Sequence, residues 1–270
     1  MKYSLEKLSG LEQKLFFLLE AEDRKVVTAE TAMSFLGIKR MHAYILLNNM
    51  HKKGALDKVK ANLYVRIPGH IVHDRGKFAE DPILIAKHLA RPYFFSYYTA
   101  LQIHGLAQQY SRQYYLSTTR VAPRVSYHGS EIRPVVLNKA RFFGFEKKTY
   151  GAEEIVVSGL ERTILDVLNR PEYAGGYEEI LRCFLDMENV DWDKLMAYGG
   201  RMRETILYNR LGFVFELLKD SVKTPSSFLS ALEKRLPEHK YYFERGRKGR
   251  LIKRWRLIVD PRLEKIAEGV

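Results

Sequence analysis

The residues of this chain whose types and spacing could do chemistry are mostly basic, and the chemistry they suit is recognition of a polyanion. In LGIKRMHAYILLNNMHKKGAL, residues 36–56, Ala43, Leu46, Leu47 and Met50 recur at spacings of three and four, which predicts a helix from about Lys39 to Lys53 that ends at Gly54. Its outward arc holds Lys39, Arg40, His42, Tyr44 and Asn48 or Asn49, with Lys52 and Lys53 at the far end, and no acid occurs between Glu30 and Asp57. A helix that is only solvated mixes Glu with Lys to gain i,i+4 pairs. Here that mixture is missing. Arg and Asn can pair with base edges, while Lys, His and Tyr can reach phosphates.

A second basic group, Arg245, Arg247, Lys248 and Arg250, continues into Lys253, Arg254 and Arg256, with Tyr241, Tyr242, Phe243 and Trp255 interleaved. Such a mixture can follow a phosphate backbone and stack on exposed bases. Alternation of Ile252, Trp255, Leu257 and Val259 fits equally an edge strand whose arginines are solvated, and docking of an acidic partner is a third use.

Catalytic patterns are sparse. The chain contains no G-x-x-x-x-G-K-[ST], no H-E-x-x-H and no G-x-S-x-G. His70, His73 and Asp74 in HIVHD could approach a metal, but two histidines in a linker read first as solvent-exposed. Glu146-Lys147-Lys148 fits the E-x-K element of a metal-dependent nuclease, with Glu131 on the neighbouring strand as a second carboxylate; two-metal phosphodiester chemistry needs such convergence, although the spacing is common by chance. The single cysteine, Cys183, lies among Leu181, Phe184 and Leu185, so it reads as a core residue and can form no internal disulfide. No enzyme activity, cofactor or metal is expected.

The elements that must position the first basic set are short and punctuated. Leu8, Leu11, Leu15, Leu18 and Leu19 predict a helix, Thr28 caps a second one over AETAMSFL, and Gly37 ends it just before the basic helix. ALDKVKANLYVRIP then reads as a hairpin with KAN at its turn, placing Lys58, Lys60 and Asn62 on the tip beside the backbone of a bound duplex. Three helices and a terminal hairpin form the pattern of a winged helix-turn-helix, whose recognition helix pushes its first residues deepest into the major groove.

The expected division is a winged helix-turn-helix at 1–70, a linker at 71–80 and a larger mixed α/β domain at 81–270, giving an α+β protein. In the larger domain Asp81 and Pro82 start one helix, and Ser96 and Gly105 bound another. Strand-like segments at 113–120, 131–139, 141–150 and 153–158 favour an antiparallel-rich sheet, because their connections look too short for crossover helices. Ser158 and Glu161 have capping-box spacing for the helix LERTILDVLNR. Further helices are expected at 176–187, 191–200, 203–219 and 226–235, followed by two terminal strand-like pieces.

Length and composition agree with this division. The 270 residues, 46% apolar and 29% charged, exceed the usual domain of about 100 to 150 residues and can bury a sizeable core. The net charge of +13 attracts polyanions. The basic excess sits at the two ends, since 153–193 is rich in acids, which fits a DNA-binding head on a body that meets something else. With no signal-peptide pattern and no apolar run approaching a membrane span, the expectation is a soluble cytoplasmic protein.

FSYYTALQIHGL, VSGLERTILDVLNRPEYAGGYEEIL and IKRWRLIVD, in that order behind the N-terminal helices, resemble the AbiEi family of antitoxin-like transcriptional regulators over nearly the whole chain. The resemblance implies a regulator that binds operator repeats in double-stranded DNA and represses its own operon. It also implies a neighbouring nucleotidyltransferase-type toxin, as in type IV toxin–antitoxin systems, counteracted without need of a tight complex. The family's DNA-facing positions correspond to Lys39, Arg40, His42 and Tyr44 on the third helix and to the wing around Lys58 and Lys60; the family offers no catalytic motif. A metal-dependent nuclease and a protein-interaction scaffold are the alternatives.

Overall fold

The structure is a computed structural model that describes residues 7–74, 78–244, 246 and 248–267, with backbone alone for 72–74 and 267. In chain order its elements begin with α1 (Gly10–Ala21), β1 (Val26–Val27), α2 (Ala29–Leu36), α3 (Arg40–Lys52), β2 (Leu56–Lys60), β3 (Leu63–Arg66), α4 (Gly69–Asp74), α5 (Pro82–Ala86), β4 (Tyr93–Phe95), α6 (Tyr97–Ile103), β5 (Gln113–Thr118), β6 (Val125–Tyr127) and β7 (Ser130–Val136). They continue with β8 (Phe145–Tyr150), β9 (Glu153–Ser158), α7 (Leu160–Asn169), α8 (Tyr177–Leu185), α9 (Trp192–Met202), α10 (Ile206–Leu217), α11 (Ser226–Glu233), β10 (Tyr241–Tyr242), β11 (Arg250–Ile252), β12 (Leu257–Val259) and α12 (Arg262–Ala267). The three sheets are ordered β1-β3-β2, β6-β7-β5-β4-β9-β8 and β10-β12-β11. The protein is a mixed α+β structure, in line with the sequence.

Two compact units are present: residues 1–91, 112–114 and 122–133 form the first, and the remaining segments form the second. In the first, Leu15, Phe16 and Leu19 of α1 pack with Ala29, Ala32, Ala43, Leu46, Leu47 and Met50 of α2 and α3 in one core. Ser9 N–H donates to Glu12 Oε2 at 2.6 Å, closing the start of α1. Thr28 Oγ1 accepts from Thr31 N at the start of α2, and Gly37 ends that helix with φ of 65°, a left-handed turn that costs glycine little. β2 and β3 pair antiparallel, and β1 pairs with β3 through Val26↔Val65. Arg66, nearly buried, holds β3 to the end of α1 through Glu20 at 2.9 Å and Asp23 at 3.1 Å.

β6 and the first part of β7, through Arg133, belong to this unit as well. His128 and Gly129 both take positive φ, 46° and 79°, in the two-residue turn between these strands. His128 Nε2 lies 2.6 Å from Asp57 Oδ2 on β2. The Tyr127 hydroxyl accepts from Glu80 N–H at 3.3 Å.

The core of the second unit gathers the apolar faces of α6 through α11 and of β12. At its centre Arg162, fully buried, donates through Nε to Asp166 Oδ2 at 3.0 Å and through Nη1 to the Arg141 carbonyl at 2.8 Å. Its Nη2 meets Asp166 Oδ1 at 2.9 Å, and its guanidinium lies 4.6 Å from the centre of the Phe143 ring. Burial pushes the Asp166 carboxyl up and outweighs the opposite pull of Arg162. Gly212 is held to glycine by packing, because a Cβ there would fall 2.0 Å from Trp255 Cε3.

Three expectations change on contact with the structure. The large sheet is mostly antiparallel, as expected, but it gains the unpredicted strand β4, which runs parallel to β9 through Phe95↔Val157. The two strands are separated by several intervening elements, so no single short link constrains them. The capping box at Ser158 does not form, because the N-cap of α7 is Gly159. Glu161 therefore sits one position too early to reach back, and its carboxylate accepts instead from Asp191 N–H at 3.1 Å and meets Lys194 Nζ at 2.8 Å. The linker stretch contains the short helix α4.

Arg162→Ala leaves a buried carboxylate unpaired and is expected to cost about 3–5 kcal/mol, read by urea unfolding, whereas Arg162→Met combined with Asp166→Leu should lose much less. Burial lowers the His104 pKa, so its stabilising contribution is complete above the unfolded value and fades as pH falls through the folded one. His104→Gln should flatten the dependence of stability on pH below the unfolded histidine value of about 6.5.

Candidate nucleic-acid interface

The left-handed turn at Gly37 is secured by its N–H on the Met33 carbonyl at 2.9 Å, so only three residues separate α2 from α3. Lys39 is the N-cap of α3, and Ala43, Leu46, Leu47 and Met50 are buried against the core. That inward set is the one the apolar spacing predicts. Lys39, Arg40, His42 and Lys52 are exposed, while Tyr44, Asn48, Asn49 and Lys53 are half-buried. Lys58 is exposed on β2, with Lys60 and Asn62 half-buried toward the hairpin tip.

Several of these polar groups are already engaged within the unit. Arg40 Nη2 meets Glu30 Oε1 at 2.8 Å, and its Nε donates to the Tyr44 hydroxyl at 3.0 Å. Asn62 Nδ2 donates to Glu30 Oε2 at 3.3 Å, while Asn62 Oδ1 accepts from Ala29 N–H at 2.7 Å. The Glu30 carboxyl is held below its ordinary pKa by its own backbone N–H, with Thr28, Asn62 and Arg40 adding to the effect against partial desolvation. Arg40 is thus an oriented cation, and Asn62, with φ of 59°, is first a structural turn residue. Lys53 Nζ lies 2.6 Å from the buried Glu12 carboxylate, which pins the end of α3 to the start of α1.

Two outward residues are absent from the polar arc read from sequence. Met41 is 70% exposed and Ile45 52% exposed. A helical wheel finds them, since a step of two residues turns the helix by about 160° in the opposite sense and sets both across the axis from Ala43.

The C-terminal basic group is placed differently. Arg245 and Arg247 lie outside the described residues. Arg250 meets Glu264 at 2.5 Å, and Arg254 binds Glu233 at 2.8 Å together with Glu216. Lys248 and Lys253 are exposed. Phe243 and Trp255 are fully buried, which removes them as stacking surfaces, and Tyr242 is the exposed aromatic of the set.

The nuclease constellation does not assemble as expected. Glu146 is exposed on β8, whose paired neighbour is β9. Glu131 is on β7, opposite Ser126 of β6, and its carboxylate meets Arg133 at 3.4 Å. The two acids therefore do not share neighbouring strands. Lys148 Nζ donates to the Ile103 carbonyl at 3.0 Å. Among the described residues no three His, Cys, Asp or Glu side chains gather in a way that could hold a metal ion. His70 is exposed on α4, and the side chains of His73 and Asp74 lie outside the described ones. The Cys183 thiol is buried and pushed up to about 12, chiefly by desolvation and then by Glu179. Among the described residues no helix is long and apolar enough to cross a membrane.

No protein-family profile matches the sequence, and no curated protein does. The structure is similar to the crystal structure of the RV2827C protein from Mycobacterium tuberculosis, with a TM-score of 0.69 and 14% identity over 98% of this chain and 96% of that one. At that identity the likeness establishes a common fold.

Proposed function

We propose that this protein is a sequence-specific DNA-binding transcriptional regulator whose first unit acts as a winged helix-turn-helix. In this reading α3 enters the major groove and the β2–β3 hairpin lies along the backbone as the wing. The observation that carries it is the exposed face of α3: Lys39, Arg40, His42 and Lys52 face solvent on a helix that contains no acid. Such a face offers donors to base edges and cations to phosphates. Glu30 offsets part of the Arg40 charge but fixes the direction of its guanidinium, and preorganisation of that kind reduces what binding must spend on ordering a long side chain.

The resemblance to AbiEi-family antitoxins extends the proposal. The protein would repress its own operon and counteract a nucleotidyltransferase-type toxin, with the second unit supplying the antitoxic activity. Lys248 and Lys253 keep a supporting electrostatic role open for the C-terminal segment; the ion pairs of Arg250 and Arg254 make those two arginines weaker candidates for phosphate contact.

Binding of the protein to its own upstream DNA is expected to weaken steeply with salt, with a log–log slope of roughly 0.9 per phosphate neutralised. Binding that is undetectable or indifferent to salt removes the proposal. Arg40→Ala should relax preference at one or two base positions at a cost of about 1–3 kcal/mol, whereas Lys58→Ala should weaken all duplexes alike. Equal losses on every sequence for both variants, measured by fluorescence anisotropy, refute these roles.

A further inference from the structure

The polar side chains of α3 do not account for all of its exposed surface. Met41 and Ile45, one turn apart, stand 70% and 52% exposed on the face that carries Lys39, Arg40 and His42. Neither contributes to the core of its unit, which is closed by Ala43, Leu46, Leu47 and Met50. An apolar side chain pressed against unpaired base-edge donors and acceptors would leave them unsatisfied. In the major groove, the apolar feature a base pair offers is the C5-methyl group of thymine.

Spacing adds a second constraint. Four residues of helix advance about 6 Å, close to the roughly 6.8 Å covered by two base-pair steps. Charge favours DNA over a protein on this face, since a stable protein interface needs about 800 Å² per partner. Two side chains ringed by Lys39, Arg40, His42 and Lys52, on a helix without a carboxylate, provide neither that apolar area nor an attraction for a basic or neutral surface.

We infer that Met41 and Ile45 read the methyl groups of two thymines about two base-pair steps apart, so that the sequence recognised by α3 has an A·T-containing centre. This rests on the DNA-binding reading above. Asn48 and Asn49, farther along the same helix, have the amide chemistry to pair with adenine edges.

The test begins with selection of bound duplexes from a random pool by the full-length protein. Each thymine of the consensus is then replaced by deoxyuridine, which deletes only the methyl group. Two positions, two steps apart, should each lose about fourfold in affinity, the worth of one buried methyl. Met41→Ala should abolish the loss at one position and Ile45→Ala at the other. Both side chains are exposed, so the variants should fold, as circular dichroism checks.

If the consensus lacks such thymines, if deoxyuridine is neutral everywhere, or if both variants keep the full methyl effect, the inference is overturned. In those cases salt-dependent, sequence-selective binding leaves the regulator reading standing. If no duplex is enriched or bound, both fail together.

Discussion

One carboxylate links the three segments of the candidate interface. Glu30, in the first turn of α2, receives Arg40 from α3 and Asn62 from the hairpin turn, and Asn62 in turn accepts the Ala29 backbone N–H. Three segments that are separate in sequence are thereby related through a few heavy atoms. An exposed ion pair contributes little to stability, typically less than about 1 kcal/mol, so its importance lies in placement. It fixes where a guanidinium points and how the hairpin tip stands against the helix start. The same carboxylate moderates the positive face it organises, so the interface is oriented at some cost in charge.

The second unit solves a different problem. Arg162 brings a full charge into an apolar centre, where it stays because Asp166, the Arg141 carbonyl and the Phe143 ring occupy its directions. Such a pair adds little net stability over well-packed apolar residues, because desolvation offsets much of the attraction. The arginine joins α7 to the segment before β8, and side chains of different size or geometry would not satisfy both ends.

Local rules made much of this readable in advance. The inward set of α3, the Thr28 cap and the Gly37 stop follow from period and propensity, and all three stand in the structure. What could not be read depends on distant partners. The parallel pairing of β4 with β9 joins residues some sixty positions apart, through Phe95↔Val157. Glu161 misses the capping position because the helix starts one residue later than its spacing suggests, and its carboxylate meets Asp191 and Lys194, thirty or more positions away. In the candidate site, the exposed cations were evident from the missing acids, but the engagement of Lys53 by Glu12 and of Asn62 by Ala29 needed three-dimensional proximity. Met41 and Ile45 were within reach of a helical wheel; attention to polar residues alone passes over them.

The contact between His128 and Asp57 carries a practical lesson about cutting this chain. Asp57 belongs to the hairpin near the N-terminus, yet its imidazole neighbour arrives from a loop more than seventy positions later in the same compact unit. A fragment truncated near residue 91 would lack that loop together with Tyr127, leaving one flank of β2 bare. The first unit is consequently discontinuous in sequence, since residues 112–114 and 122–133 belong to it while 115–121 belong to the second, and simple shortening cannot isolate it intact.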